Sequence, residues 1–411
     1  MAARCHPTLD RVPYALVGAS VTSLAVTWRL LLVVPCVAAL QVVSALVGPD
    51  AVAQPGRWVV HTATPADADT VAHDVGITPG DVFGSAVAGF AAPLSAAQLG
   101  RVRAHPGVLG IEPDRPGPPP EPRTTRLSDA AAAPRANWGL DRIDQRALPL
   151  DGRHTTAATG AGVTVYVLDT GIDTTHPEFE GRAQPAFNAV DDRDVVNSAG
   201  DCDGHGTVVA GIAASRLHGV APQAQVRSVK VLDCNGVGTL SSLLAGIDWL
   251  ARNAQRPAVA VMSWSYGPSD ALATAVQALV DSGVFVATSA GNTGADDCAA
   301  LPRAVPGVTV VASSTRDDRR ATTSSTGACI DVYAPGASIM STTLKGGVES
   351  WSGTSMAAPH VAGVAALYEQ VHGDVPSAEI EKWIVDHATP GVVSGGGADG
   401  TPNRLLYAGG L

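Results

Sequence analysis

Four short apolar runs rich in β-branched residues constrain the fold of this chain more than any other feature. They are GVTVYVLD (162–169), PAVAVMSW (257–264), GVFVATSA (283–290) and GVTVVAS (307–313). Near-continuous apolar runs of this length suit strands covered on both faces. Helical stretches lie between them. In TLSSLLAGIDWLARNA, Leu240, Leu243, Leu244, Ile247 and Leu250 recur at helical spacing, and SDALATAVQALVDSG is closed by Gly283 as C-cap. Strands alternating with helices predict an α/β domain, a mostly parallel sheet with helices on both faces. In such sheets, sites form at the C-terminal ends of strands.

The organisation upstream is different. Arg29 precedes the apolar run LLLVVPCVAALQVVSALVG (30–48), and AVA at 51–53 offers small residues for cleavage near Gln54. Residues 1–53 therefore read as an export segment. Residues 54–114 carry a compact α+β pattern, in which RWVVHT alternates like a strand. Residues 115–136, RPGPPPEPRTTRLSDAAAAPRA, have no core pattern and read as a linker and processing junction. The α/β pattern fills 137–411. A formal net charge of −11 and the lack of any basic run argue against a sequence-independent grip on nucleic acid.

Three residues stand where chemistry is expected. Asp169 ends the first apolar run in VLDTGID, His205 sits between two glycines in DCDGHGTVVAGIAAS, and Ser355 stands where the turn in ESWSGTSMAAPHVAGVAAL hands over to a helix. Alone, each has an ordinary reading: a turn cap, a surface histidine, a helix N-cap. Together they match what acyl transfer requires, a nucleophile, a base and an acid that orients the base. Asn292, in TSAGNTG, is by itself a turn residue.

VLDTGID, GHGT, SAGN and SGTSMAAPHVAG, in this order, resemble the motifs of the subtilisin-like (subtilase) serine proteases. HPEFEGRA, NWGLDRID and TPNRLLY place the resemblance nearest the proteinase K and aqualysin branch. The order Asp, His, Ser is that family's own. The resemblance implies a subtilisin-like three-layer sandwich over residues 137–411, preceded by a small α+β inhibitory propeptide. It assigns Asp169, His205 and Ser355 to the catalytic triad, and the Asn292 side chain to the oxyanion hole beside the Ser355 N–H. The implied function is a secreted serine endopeptidase, made as an autoprocessed zymogen, acting on polypeptides through an acyl-enzyme. No cofactor is implied for catalysis. Expected partners are polypeptide substrates and the chain's own propeptide as intramolecular inhibitor. Nucleic acid is not expected, nor membrane attachment, and the mature enzyme is expected to be a monomer.

The resemblance implies finer details. Substrate backbone should pair with two walls, Gly236, Val237 and Gly238 in NGVG and Ser263, Trp264 and Ser265 in SWSYG. A pocket for the residue before the scissile bond is expected between the second wall and Ser289, Ala290 and Gly291. Ser265 and Tyr266 replace glycines of the family pattern, which implies a shallower, slightly polar pocket. Val208-Val209 departs from the family's usual His-Val or His-Cys, with altered packing as the expected consequence. After Cys5 and Cys36, four cysteines remain, and four allow three pairings; the resemblance selects Cys202–Cys234 and Cys298–Cys329. It also implies a structural Ca²⁺ held by the Asp331 carboxylate and the carbonyls of Pro306 and Val308.

Overall fold

The structure, a computed structural model, describes residues 56–118, 137–190 and 200–411. The expected export segment and residues 119–136 of the linker lie outside the described residues. The N-terminal unit runs β1 (Gly56–Thr62), α1 (Pro65–Val75), β2 (Asp81–Phe83), β3 (Ala88–Leu94), α2 (Ala96–Ala104) and β4 (Val108–Pro113). Its sheet is antiparallel in the order β2-β3-β1-β4. Both helices start on reciprocal caps, Thr64 with Asp67 and Ser95 with Gln98, which satisfy otherwise free helix N–H groups. Val60, Val71, Phe90 and Val102 pack between sheet and helices.

The second pattern begins with α3 (Trp138–Ile143), β5 (Thr164–Asp169), β6 (Ala183–Asn188), α4 (His205–Ala214), β7 (Gln225–Lys230) and α5 (Leu240–Asn253). It continues through β8 (Ala258–Met262), α6 (Asp270–Asp281), β9 (Phe285–Ser289), β10 (Val308–Ser314) and β11 (Val332–Pro335). It ends with β12 (Ile339–Thr343), β13 (Gly347–Trp351), α7 (Thr354–His372), α8 (Ser377–His387), β14 (Thr389–Pro390) and β15 (Arg404–Leu405). Nine strands form one sheet in the order β14-β15-β11-β10-β9-β8-β5-β7-β6. Every neighbouring pair in it is parallel except β14 with β15.

The alternation of β5 builds both layers. Val165 and Val167 join one core with residues of α4, α7 and α8, while Tyr166 and Leu168 join the other with α5 and α6. The four apolar runs of the sequence are β5, β8, β9 and β10, side by side in the sheet as β10-β9-β8-β5. Val208 and Val209 are both fully buried in the α4–α7 layer, so two valines there serve packing. β12 and β13 form a separate antiparallel hairpin that leads directly into α7.

The N-terminal unit lies against α5 and α6, and three carboxylates fix the contact. Asp248 Oδ1 on α5 accepts the N–H groups of Gly84, Ser85 and Ala86. Asp114 accepts from Ser241 N and Oγ at the start of α5, and Glu112 accepts from Ala271 N at the start of α6. The last two contacts place negative charge at helix N-termini, where it is favoured.

Candidate active site

Asp169 is the last residue of β5 and is fully buried. Its Oδ1 accepts from Thr170 N at 2.7 Å and from His205 Nδ1 at 2.8 Å. His205 is the first residue of α4, entered through Gly204 at φ 103°, a left-handed conformation that favours glycine. The neighbouring Gly206 is required by closeness: a Cβ there would stand 2.1 Å from the Gly171 carbonyl oxygen. Asp201 organises this entry. Its carboxylate accepts from Thr170 Oγ1, from the N–H groups of Asp203, Gly204 and Thr207, and from Thr207 Oγ1. Thr170 Oγ1 in turn accepts from Gly206 N, tying the strand end to the helix start. The sequence reading did not single out Asp201; its place four residues before the histidine, in a glycine-rich turn, was the available signal.

Burial pushes the His205 imidazolium down. The carboxylates of Asp169, Asp203 and Asp201 outweigh it, and the net pKa lies above the ordinary histidine value. The ring is protonated on Nδ1 by its bond to Asp169, which leaves Nε2 as the acceptor that a base needs. Trp351 stands edge-on to the imidazole, with centroids 6.4 Å apart.

Ser355 is in the first turn of α7, after Gly353 at φ 144°. Its backbone N–H is among those at a helix start with no intrahelical acceptor. Its Oγ donates to the Ser263 carbonyl at 3.3 Å, and no hydrogen bond joins it to His205 in this structure. Both residues line one cleft of about 500 Å³. Asn292 lines it too. Its Oδ1 accepts from Thr354 N at 2.8 Å and Thr354 Oγ1 at 3.1 Å, which leaves the Nδ2 amide as the donor available to the cleft.

The residues expected in the two walls differ in their access to the cleft. Gly236, Gly238, Ser263, Trp264, Ser265, Ser289 and Gly291 line the cleft, whereas Val237 and Ala290 do not. Trp264 contributes little ring surface, because its indole N–H donates to Leu168 O at 3.0 Å within the core. The Ser265 hydroxyl accepts from Arg303, whose side chain has no solvent exposure and is paired with Asp297. The polar contribution expected of Ser265 is thus already engaged behind the wall. Disulfides join Cys202 to Cys234, beside the His205 turn, and Cys298 to Cys329, beyond Asn292.

One strand already occupies part of the cleft. Pro116 pairs antiparallel with Thr239, Gly117 N donates to Gly238 O at 2.8 Å, and Leu240 N donates to Arg115 O at 3.1 Å. Gly117 and Pro118 line the cleft together with His205 and Ser355. The tail of the N-terminal unit therefore adds a strand to the first wall.

Residues 160–408 match the model of the Subtilase family. The chain is 45% identical over 328 residues to alkaline serine exoprotease A of Vibrio alginolyticus, covering 80% of this chain and 60% of that protein. It is 43% identical over 328 residues to the extracellular serine proteinase of Thermus sp. (strain Rt41A), covering 79% of this chain and 77% of that protein. Among solved structures it is similar to a cold adapted subtilisin-like serine proteinase, at a TM-score of 0.64 and 44% identity, covering 67% of this chain and 98% of the other. The chain belongs to the subtilase family of serine endopeptidases.

Proposed function

We propose that the chain is a secreted serine endopeptidase, made as a precursor that its own N-terminal unit inhibits. The observation that carries the reading is the convergence on one cleft of the Asp169–His205 pair, Ser355 and Asn292, with Asp169 to His205 at 2.8 Å. Ser355 Oγ turns from the Ser263 carbonyl to His205 Nε2, gives up its proton there and attacks the peptide carbonyl carbon. Asp169 holds the imidazolium that forms. The oxyanion receives the Ser355 N–H and the Asn292 Nδ2–H. Imidazolium returns the proton to the leaving amine, and water then attacks the acyl-enzyme by the same route.

The pairing of residues 115–117 with 238–240 supports inhibition in cis, since a substrate strand needs the same wall. Cleavage within residues 115–136 is the proposed maturation step. Export is supported by the sequence pattern of residues 1–53, by two disulfides and by the extracellular relative from Thermus. Among the described residues no helix is long and apolar enough to cross a membrane.

Asp331, Pro306 and Val308 are the residues proposed to hold a structural calcium ion. The Asp331 carboxyl is pushed up to about 7, first by burial, against the hydrogen bond it accepts from the Val310 N–H; Glu381 adds to the rise and Arg404 opposes it. A buried carboxyl that destabilised is an anion short of positive charge. The Asp331 carboxylate and the carbonyls of Pro306 and Val308 are oxygen donors of the kind Ca²⁺ takes, and the ion's contribution if bound would be structural.

The test is a fluorophosphonate probe applied to culture supernatant from cells expressing wild type and Ser355→Ala. A labelled band of mature size from wild type, and an unlabelled, full-length precursor from Ser355→Ala, are expected. Equal peptide hydrolysis by purified Ser355→Ala protein would overturn the assignment.

A further inference from the structure

We infer that Tyr266 makes this cleft select glycine at one fixed position upstream of the scissile bond, the position that Gly117 fills in the precursor. The inference rests on the proteolytic reading above and specifies its substrate class. Gly117 lies between the two walls, its N–H on Gly238 O, with the Tyr266 ring and the Ser265 carbonyl on its other side. A Cβ at this residue would stand 3.1 Å from Tyr266 Cδ2, 3.3 Å from Ser265 O and 3.5 Å from Gly238 O. The first two approaches are closer than ordinary van der Waals contact, and Tyr266 is held in place. The Tyr266 backbone exchanges two hydrogen bonds with Leu301, each 2.9 Å, and its phenol donates to Arg115 O at 3.0 Å. The Leu301 pairing fixes the residue from the wall side, the phenol engages the tail itself, and the residue is buried in the precursor.

Gly117 does not lie in the left-handed region, so what disfavours a side chain there is space. The phenol works on the backbone alone, because its acceptor is a carbonyl that any residue supplies. Tyr266 thus recognises an extended chain through the carbonyl two residues upstream, and closes the place a side chain would take. In the precursor, burial first, then Asp114 and Glu112, push its pKa up to about 12, which keeps the phenol a donor to Arg115 O.

Two measurements test this. In the first, mature wild-type enzyme and its Tyr266→Phe and Tyr266→Gly variants digest a peptide library from a denatured proteome, and the cleavage sites are aligned. Wild type should prefer glycine over alanine at one upstream position, roughly 10–200-fold, the range for a methylene-sized misfit in a pocket. Tyr266→Phe keeps the ring and should keep that preference; Tyr266→Gly should abolish it. Cleavage without a glycine-preferring position, or a preference that survives Tyr266→Gly, overturns the inference while leaving the proteolytic reading intact. The second measurement needs no turnover. In the full-length Ser355→Ala precursor, hydrogen exchange at the Leu240 amide, the donor to Arg115 O, reports tail binding. Gly117→Leu should speed it at least roughly 10-fold, and adding Tyr266→Gly to Gly117→Leu should slow it again. Exchange unchanged by Gly117→Leu, or not slowed by the second substitution, overturns the inference even where no cleavage is seen.

Discussion

Ser263 and Ser355 exchange two hydrogen bonds: the Ser263 hydroxyl donates to the Ser355 carbonyl at 3.2 Å, and the Ser355 hydroxyl to the Ser263 carbonyl at 3.3 Å. The first bond answers a defect in α7. Pro359 lies four residues after Ser355 and has no N–H to give its carbonyl. The end of β8 supplies the missing donor, and so fixes the first turn of α7, with its nucleophile, to the central sheet. Ser263→Ala should lower stability by about 0.5–1.5 kcal/mol. Denaturant melts in a Ser355→Ala background, which removes self-digestion, would measure it. An unchanged midpoint would mean that solvent satisfies the carbonyl equally well.

What could be read beforehand follows from the range of the interactions. β5, β8, β9 and β10 announce themselves because burial on both faces leaves uninterrupted apolar runs. β7, QVRSVK, sits in the same sheet but carries Arg227 and Lys230, so its pattern is broken. Asp169, His205 and Ser355 were legible because each stands in a glycine-rich turn of its own. The contacts of Tyr266 were not, since Arg115 and Gly117 approach it only across the folded cleft. Nor was the engagement of Ser265 by Arg303, where two residues 38 positions apart meet through side chains alone.

The charge around His205 sets the pH range of activity. The base must be neutral, so turnover should rise as pH passes upward through the folded pKa of His205. That pKa is raised, and the acid limb of kcat/KM should therefore lie above the ordinary value of about 6.5. Asp203→Asn removes one of the charges that raise it and should move the limb to lower pH. A limb that does not move would take Asp203 out of the account.

Calcium should act on stability and not on chemistry. A ligand that binds only the folded state adds about 2.7 kcal/mol at a hundred times its Kd. Chelator should lower the Tm of the Ser355→Ala protein in the presence of trace calcium. Asp331→Asn should start lower and be insensitive to chelator. A wild-type Tm indifferent to both chelator and added calcium would remove the site.

Glu369, on the same helix α7 as Ser355 and about four turns further along it, should set a second pH dependence, this one of stability. The residue is buried, and neither carboxyl oxygen has a hydrogen-bond partner. Burial first, then the nearby Asp374, push its pKa up to about 8, against a smaller opposing effect of Arg256. In the unfolded chain the same group ionises near the ordinary 4.5. Between these two values the folded state keeps a proton that the unfolded state has released, so folding loses stability as pH rises through that window. Below it both states are protonated, and above it both are ionised, so the dependence flattens at either end. Glu369→Gln cannot ionise and keeps nearly the same shape. Its unfolding free energy should gain on wild type from about pH 4.5 to 8 and then level off, at roughly 5 kcal/mol given about 1.4 kcal/mol per pKa unit. Denaturant melts of both proteins across pH 4–9, again in the Ser355→Ala background, would show it. Parallel curves over the whole range would mean that Glu369 ionises in the folded protein as it does in water.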